Sequence, residues 1–175
     1  MSTDTKRKTV SYGSATSVPR LVLRPKLSRR TLLDGGWWPR STDPLAELPG
    51  LILALDDRRG PVRDLILGGT GWDSRPRRLG VAGRVVRLGW FTAQPLGLLT
   101  AICANGDRVD LLVVPPHTGS ATAEAAMAIA GEPTNTIHAP DILTAVTARG
   151  AGQAETAPEA AWESEGGHLR GSRGN

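Results

Sequence analysis

Apolar residues recur with a definite period from about Val18 to Gly131, and the period changes from one segment to the next. VPRLVLRP, residues 18–25, alternates apolar and polar positions between two prolines. This predicts a strand at a sheet edge, where a missing N–H is tolerated. Asp43 followed by Pro44 predicts a helix start, with a carboxylate cap and a proline whose absent N–H costs nothing at the first position. Leu45, Leu48, Ile52 and Leu55 follow at helical spacing and Gly60 closes the run, while Pro49 inside it predicts a kink or a staggered start.

PVRDLILGG, residues 61–69, reads as a strand, and two hairpins follow. RRLGVAGRVVRLGWF turns at Ala82-Gly83 and LGLLTAICANGDRVDLLVVPP turns at Asn105-Gly106. A two-residue loop in the first sets Val81 opposite Arg84, Leu79 opposite Val86 and Arg78 opposite Arg87. In the second it sets Ile102 opposite Val109, Thr100 opposite Leu111 and Leu98 opposite Val113. GSATAEAAMAIAGEP predicts an alanine-rich helix capped by Ser120 or Thr118 and stopped by Gly131. The order β-α-β-β-β-β-β-α predicts an α+β fold: a two-layer sandwich of an antiparallel β-meander with two helices packed on one face.

Composition changes at both ends of this pattern. Residues 1–17 are polar with a basic knot at Lys6–Lys8, and residues 132–175 are rich in small and charged types, so both are expected as disordered tails around a single domain at 18–131. A short helix at 140–148 is compatible with Ile142, Leu143 and Val146. The start lacks an apolar leader, and no run approaches the ~20 apolar residues that span a bilayer, so the expected location is cytoplasmic with no membrane contact. The lone Cys103 excludes an internal disulfide and a multi-cysteine metal site, and no cofactor or metal motif is present.

The formal charge of +4 is carried almost entirely by arginine, with lysine only at 6, 8 and 26. Arginine suits bidentate contacts to carboxylate or phosphate, although GC-rich coding accounts for the same bias. Arg78 and Arg87, facing each other among small residues, form a candidate patch for an acidic protein or a small anion. Asp64, Asp73 and Asp110 are the acids available to neutralise the pair. The DGGWWPRS stretch adds Trp37, Trp38 and Arg40 as candidate binding residues; an extended backbone there sends the two indoles in opposite directions, one into the core and one toward solvent. Nucleic acid is disfavoured without being excluded, since no recognition-helix or RNP-like pattern appears.

Catalysis has weaker support. There is no GxSxG, HExxH or P-loop, and the remaining enzyme reading is a small hydrolase-like site pairing His117 with a loop acid, Asp34, Asp43 or Asp73. A small-ligand sensor is a further option and requires a largely apolar pocket of a few hundred Å³. GGTGWD, residues 68–73, reads as a glycine-rich connection whose Trp72 folds back on the core.

The stretches DGGWWPRS, WDSRPRRL and LLVVPP, in this order, resemble a family of small actinobacterial proteins that is a numbered domain of unknown function. The resemblance covers most of residues 18–131. It implies a compact single domain and brings no activity, cofactor or site residue with it. The expectation is a binding or regulatory module, not an enzyme.

Overall fold

The computed structural model describes residues 10–12, 18–25, 31–95 and 97–149. Most of the expected N-terminal tail and everything after residue 149 lie outside these. The strands are β1 (Ser11–Tyr12), β2 (Arg20–Leu23), β3 (Gly35–Trp38), β4 (Val62–Gly68), β5 (Arg78–Val81), β6 (Arg84–Phe91), β7 (Leu98–Cys103) and β8 (Arg108–Val113). The helices are α1 (Pro44–Arg59), α2 (Ser120–Ala130) and α3 (139–149). The fold is α+β.

The strands form one sheet in the order β1-β5-β6-β4-β7-β8-β3-β2. It is mixed, which corrects the expected antiparallel meander: β4 lies between β6 and β7, parallel to the first and antiparallel to the second. The physical reason lies in α1. A strand, a helix and a strand in succession bring the second strand back parallel to the first, which a meander cannot do. The β7–β8 hairpin then fills the gap between β4 and β3, with β8 parallel to β3.

The two helices expected on one face lie on opposite faces. Successive residues of a strand point to opposite sides, and β3 separates two cores in this way. Trp37 enters a cluster with Leu48, Leu51, Ile52 and Leu55 of α1. Trp38 enters another with Ala123, Ala126 and Met127 of α2 and with Ala139, Ile142 and Val146 of α3. The same division runs along β8, where Leu111 faces α1 and Leu112 faces α2.

The glycines before the tryptophans make this layering fit. A Cβ on Gly35 would lie 2.0 Å from the Val22 carbonyl oxygen, and one on Gly36 would lie 2.9 Å from Met127 Cα. Gly35 therefore admits the β2 backbone and Gly36 admits α2.

The first hairpin keeps the predicted register, Arg78 opposite Arg87 and Leu79 opposite Val86, and its turn holds Ala82 at φ 50° beside Gly83 at φ 76°. The second hairpin is shifted by one residue. Leu99 faces Leu111 and Ala101 faces Val109, so Ala104, Asn105 and Gly106 form a three-residue loop. The Asn105 side chain accepts from the Asp107 N–H at 2.9 Å, and Gly106 takes φ 91°. A one-residue shift exchanges the faces, so Leu99, Ala101 and Cys103 join the core beneath α1 in place of Leu98, Thr100 and Ile102, and Leu98 packs on the opposite core. Burial pushes the Cys103 thiol pKa up, with the charges of Asp107 and Asp56 adding to it.

In α1 the Asp43 carboxylate accepts from the Leu45 N–H at 3.0 Å, as predicted, and the helix runs as one element through the buried Pro49. In α2 the cap is Gly119 and makes no side-chain bond, which corrects the expectation of Ser120 or Thr118.

Candidate functional site

β3, β4 and β8 run in the same sense, because β3 is parallel to β8 and the antiparallel β7 stands between β8 and β4. Their carboxyl ends open onto one cleft of about 270 Å³. Pro39, Ser41 and Thr42 follow β3; Leu67 and Gly68 end β4, with Thr70, Gly71 and Trp72 just after it; Val113 ends β8, and Pro115, Pro116 and His117 follow it. Gly97 and Leu98 at the start of β7, and Leu143 of α3, complete the lining.

The position follows from topology. After β3 the chain passes to α1 on one face, and after the adjacent parallel strand β8 it passes to α2 on the other. Two neighbouring strands whose following segments part in this way leave a crevice at their carboxyl ends, a recurrent ligand site in sheets flanked by helices on both faces.

The walls are tied in place. Trp72 stacks on Trp37 with ring centroids 6.0 Å apart and planes 16° from parallel, and it meets Trp90 edge-on at 6.1 Å. Aromatic pairs of this kind contribute about 0.5–1.5 kcal/mol beyond the area they bury. The Trp90 indole N–H donates to the Pro76 carbonyl at 2.8 Å. Thr42 Oγ1 donates to Asp73 at 2.7 Å and the Asp73 N–H donates to the Thr42 carbonyl at 3.0 Å, clipping the β4–β5 connection to the start of α1. Ser41 Oγ donates to Glu47 at 2.9 Å. Thr70 and His117 are the polar side chains of the lining without a hydrogen-bond partner among the described residues. Trp72 thus folds back on the core as its sequence context suggested.

The residues singled out from sequence are distributed differently. Trp37 and Trp38 expose 1% and 8% of their surface, so the expectation that one indole faces solvent is corrected. Both faces of β3 are covered by helices, leaving neither ring a docking surface. The Arg20 guanidinium lies 3.5 Å from the Trp38 ring centroid and donates to the Trp38 and Pro39 carbonyls at 2.9 Å. The Trp38 indole N–H donates to the Pro116 carbonyl at 3.3 Å. Arg40 is exposed and donates to the Val18 carbonyl at 2.7 Å, clasping the chain just before β2.

Arg78 and Arg87 are paired across β5 and β6 on the sheet face away from α1, but Arg87 is already matched. Its guanidinium donates to Asp64 on the neighbouring β4 at 2.7 Å, and Arg63 reaches the same carboxylate at 2.7 Å. Partial burial works to raise the Asp64 pKa, but the hydrogen bonds and charges of Arg63 and Arg87 outweigh it and hold the carboxyl below its usual range.

The acids paired in sequence with His117 are each engaged elsewhere: Asp43 caps α1 and Asp73 accepts from Thr42. Asp34 is buried in an ion pair with Arg24 at 3.1 Å and accepts from the Asp110 N–H at 2.9 Å, fastening the entry of β3 to β8. Burial pushes its pKa up against the opposing effects of the Asp110 N–H and the Arg24 charge. Arg24 also donates to the Leu33 carbonyl at 2.7 Å and to Thr31. Sequence reading placed Arg24 only in an edge strand, and nothing local signals its partner ten residues on.

A family described as a family of unknown function, DUF5994, matches residues 20–130. The chain belongs to it. The DUF5994 span runs from the first residue of β2 to the last of α2, so it includes the cleft from Pro39 to His117 and stops before Leu143. No curated protein and no solved structure matches the chain. Among the described residues no cluster of three or more His, Cys, Asp or Glu is arranged to hold a metal ion, and no helix is long and apolar enough to cross a membrane.

Proposed function

We propose that this protein is a non-catalytic binding or regulatory module whose ligand is a small, largely apolar molecule held in the cleft beyond β3, β4 and β8. One observation carries this reading: an apolar cavity of about 270 Å³ coincides with the point where the segments after β3 and β8 part to opposite faces. The ligand's apolar body lies against Leu67, Trp72, Leu98 and Val113, where each methylene withdrawn from water contributes about 0.8 kcal/mol. Thr70 and His117 orient a polar group at the mouth.

The enzyme reading has less support, because Asp34, Asp43 and Asp73 are engaged away from His117. The acidic-partner reading is also weakened, since Asp64 neutralises Arg87 and leaves Arg78 as the only member of that pair without a described counter-charge. The arginine-rich, lysine-poor composition and the DGGWWPRS, WDSRPRRL and LLVVPP stretches support an actinobacterial source.

The test is titration with the apolar fluorophore anilinonaphthalene, followed by energy transfer from tryptophan. The expected result is saturable binding that weakens by about tenfold in Thr70→Tyr, a loss of about 1.4 kcal/mol from placing a ring at the mouth. Binding unchanged in that variant places the probe elsewhere and contradicts the reading.

A further inference from the structure

A second cavity, of about 430 Å³, lies between α2 and α3. Val114, Ala126 and Val146 form its apolar part, and Thr118, Thr122 and Thr147 bring hydroxyls to it. It shares Pro115, His117 and Leu143 with the first cleft, so the two spaces meet across these three side chains. Leu143 is the member supplied by α3. Its position is set from both sides: Ala139, Ile142 and Val146 anchor α3 in the core, and the Leu143 side chain lies over Gly97, where an added Cβ would come within 2.8 Å of Cδ1.

We propose that the two cavities are compartments of one site for an amphipathic molecule, an apolar chain ending in an oxygen head group, and that Leu143 sets the length of chain the site accepts. This rests on the cleft being the ligand site. The apolar compartment beside Trp72 takes the chain. The threonine-lined compartment takes the head group, whose oxygen meets hydroxyl donors there and His117 at the junction. Threonine hydroxyls serve an alcohol or a carboxylate equally as donors, so the head-group chemistry is common to both. The Leu143 side chain stands where the two compartments adjoin, so its volume is taken from the space the chain can fill, and the absence of a Cβ at Gly97 gives it the room to lie there.

The experiment uses the full chain and measures displacement of anilinonaphthalene by straight-chain alcohols from butanol to dodecanol and by the matching carboxylates. Affinity is expected to rise roughly fourfold per methylene, the equivalent of about 0.8 kcal/mol, up to a length at which the gain stops. Leu143→Ala moves that break to longer chains, improving the longest by about tenfold relative to the shortest; Leu143→Phe, which keeps an apolar anchor in α3, moves it to shorter ones. The alcohol and carboxylate arms show which head group is preferred. A break that stays in place in both variants, with the probes still bound, overturns the role of Leu143 and leaves the cleft reading intact. No displacement by any member of either series in the wild-type chain overturns both.

Discussion

At the scale of single residues, the glycines carry as much of the architecture as the tryptophans beside them. Gly36 lets the Met127 backbone approach β3, and an alanine there forces helix and strand apart in a region packed without slack. Gly36→Ala is expected to destabilise the protein by about 1–3 kcal/mol, the usual cost of overpacking a core, as read from the urea midpoint at unchanged slope. An unaltered midpoint contradicts the close approach of α2. Trp37 and Trp38 were legible as a pair pointing opposite ways, because alternation is a property of any extended segment. Whether each direction ends in protein or in water depends on helices that arrive from elsewhere in the chain. The Arg24–Asp34 pair was illegible for a related reason: an edge arginine and a loop aspartate have no periodicity that couples them, and their meeting depends on β3 pairing with β8.

At the scale of elements, α3 is the piece whose importance the local pattern understates. Its apolar positions are few, but Ala139, Ile142 and Val146 cover a core face that also contains Trp38, Leu112 and Val114. A chain ending at Gly131 leaves that face open to water, and removing the two large side chains, Ile142 and Val146, from burial forfeits about 1.5–3 kcal/mol each. The truncated chain is expected to melt lower and to bind anilinonaphthalene at the uncovered face; an unchanged melting temperature contradicts the packing of α3. Hairpins, α1 and the strand at the sheet edge were legible because their signals are local: turn glycines, a cap followed by proline, and alternation. β3 was not, since GGWW carries glycines that read as loop and its partners are twelve residues or more away in sequence. The one-residue shift at Asn105-Gly106 has a similarly local cause. The same dipeptide serves a two- or a three-residue loop, and here the Asn105 side chain, bonded to the Asp107 N–H and the Arg59 carbonyl, holds the longer one.

At the scale of the whole molecule, charge and cleft divide the work. The open part of the sheet carries Asp64 between Arg63 and Arg87, and because its folded pKa lies below its unfolded value, the stability it contributes is present above the unfolded value and lost as pH falls through the folded one. Asp34, pushed up by burial, acts with the opposite sign: its contribution is present at low pH and fades as pH rises through its folded value. Asp64→Asn is therefore expected to flatten the acid limb of the stability curve below the ordinary aspartate value of 3.8 while keeping the contribution of Asp34, as read from urea midpoints over pH. A limb as steep as in the wild type removes Asp64 from this role. The cleft is the property of the assembled molecule that sequence could only state as a condition, an apolar pocket of a few hundred Å³, because its lining comes from five separate segments brought together by the pairing of β3 with β8. The most direct measurement is an amide and indole chemical-shift titration of the full chain with octanol. Saturable shifts gathered at Gly68, Thr70, the Trp72 indole, His117 and Leu143 are the predicted result; shifts gathered on the open sheet face around Arg78 and Arg87, or none that saturate, contradict it.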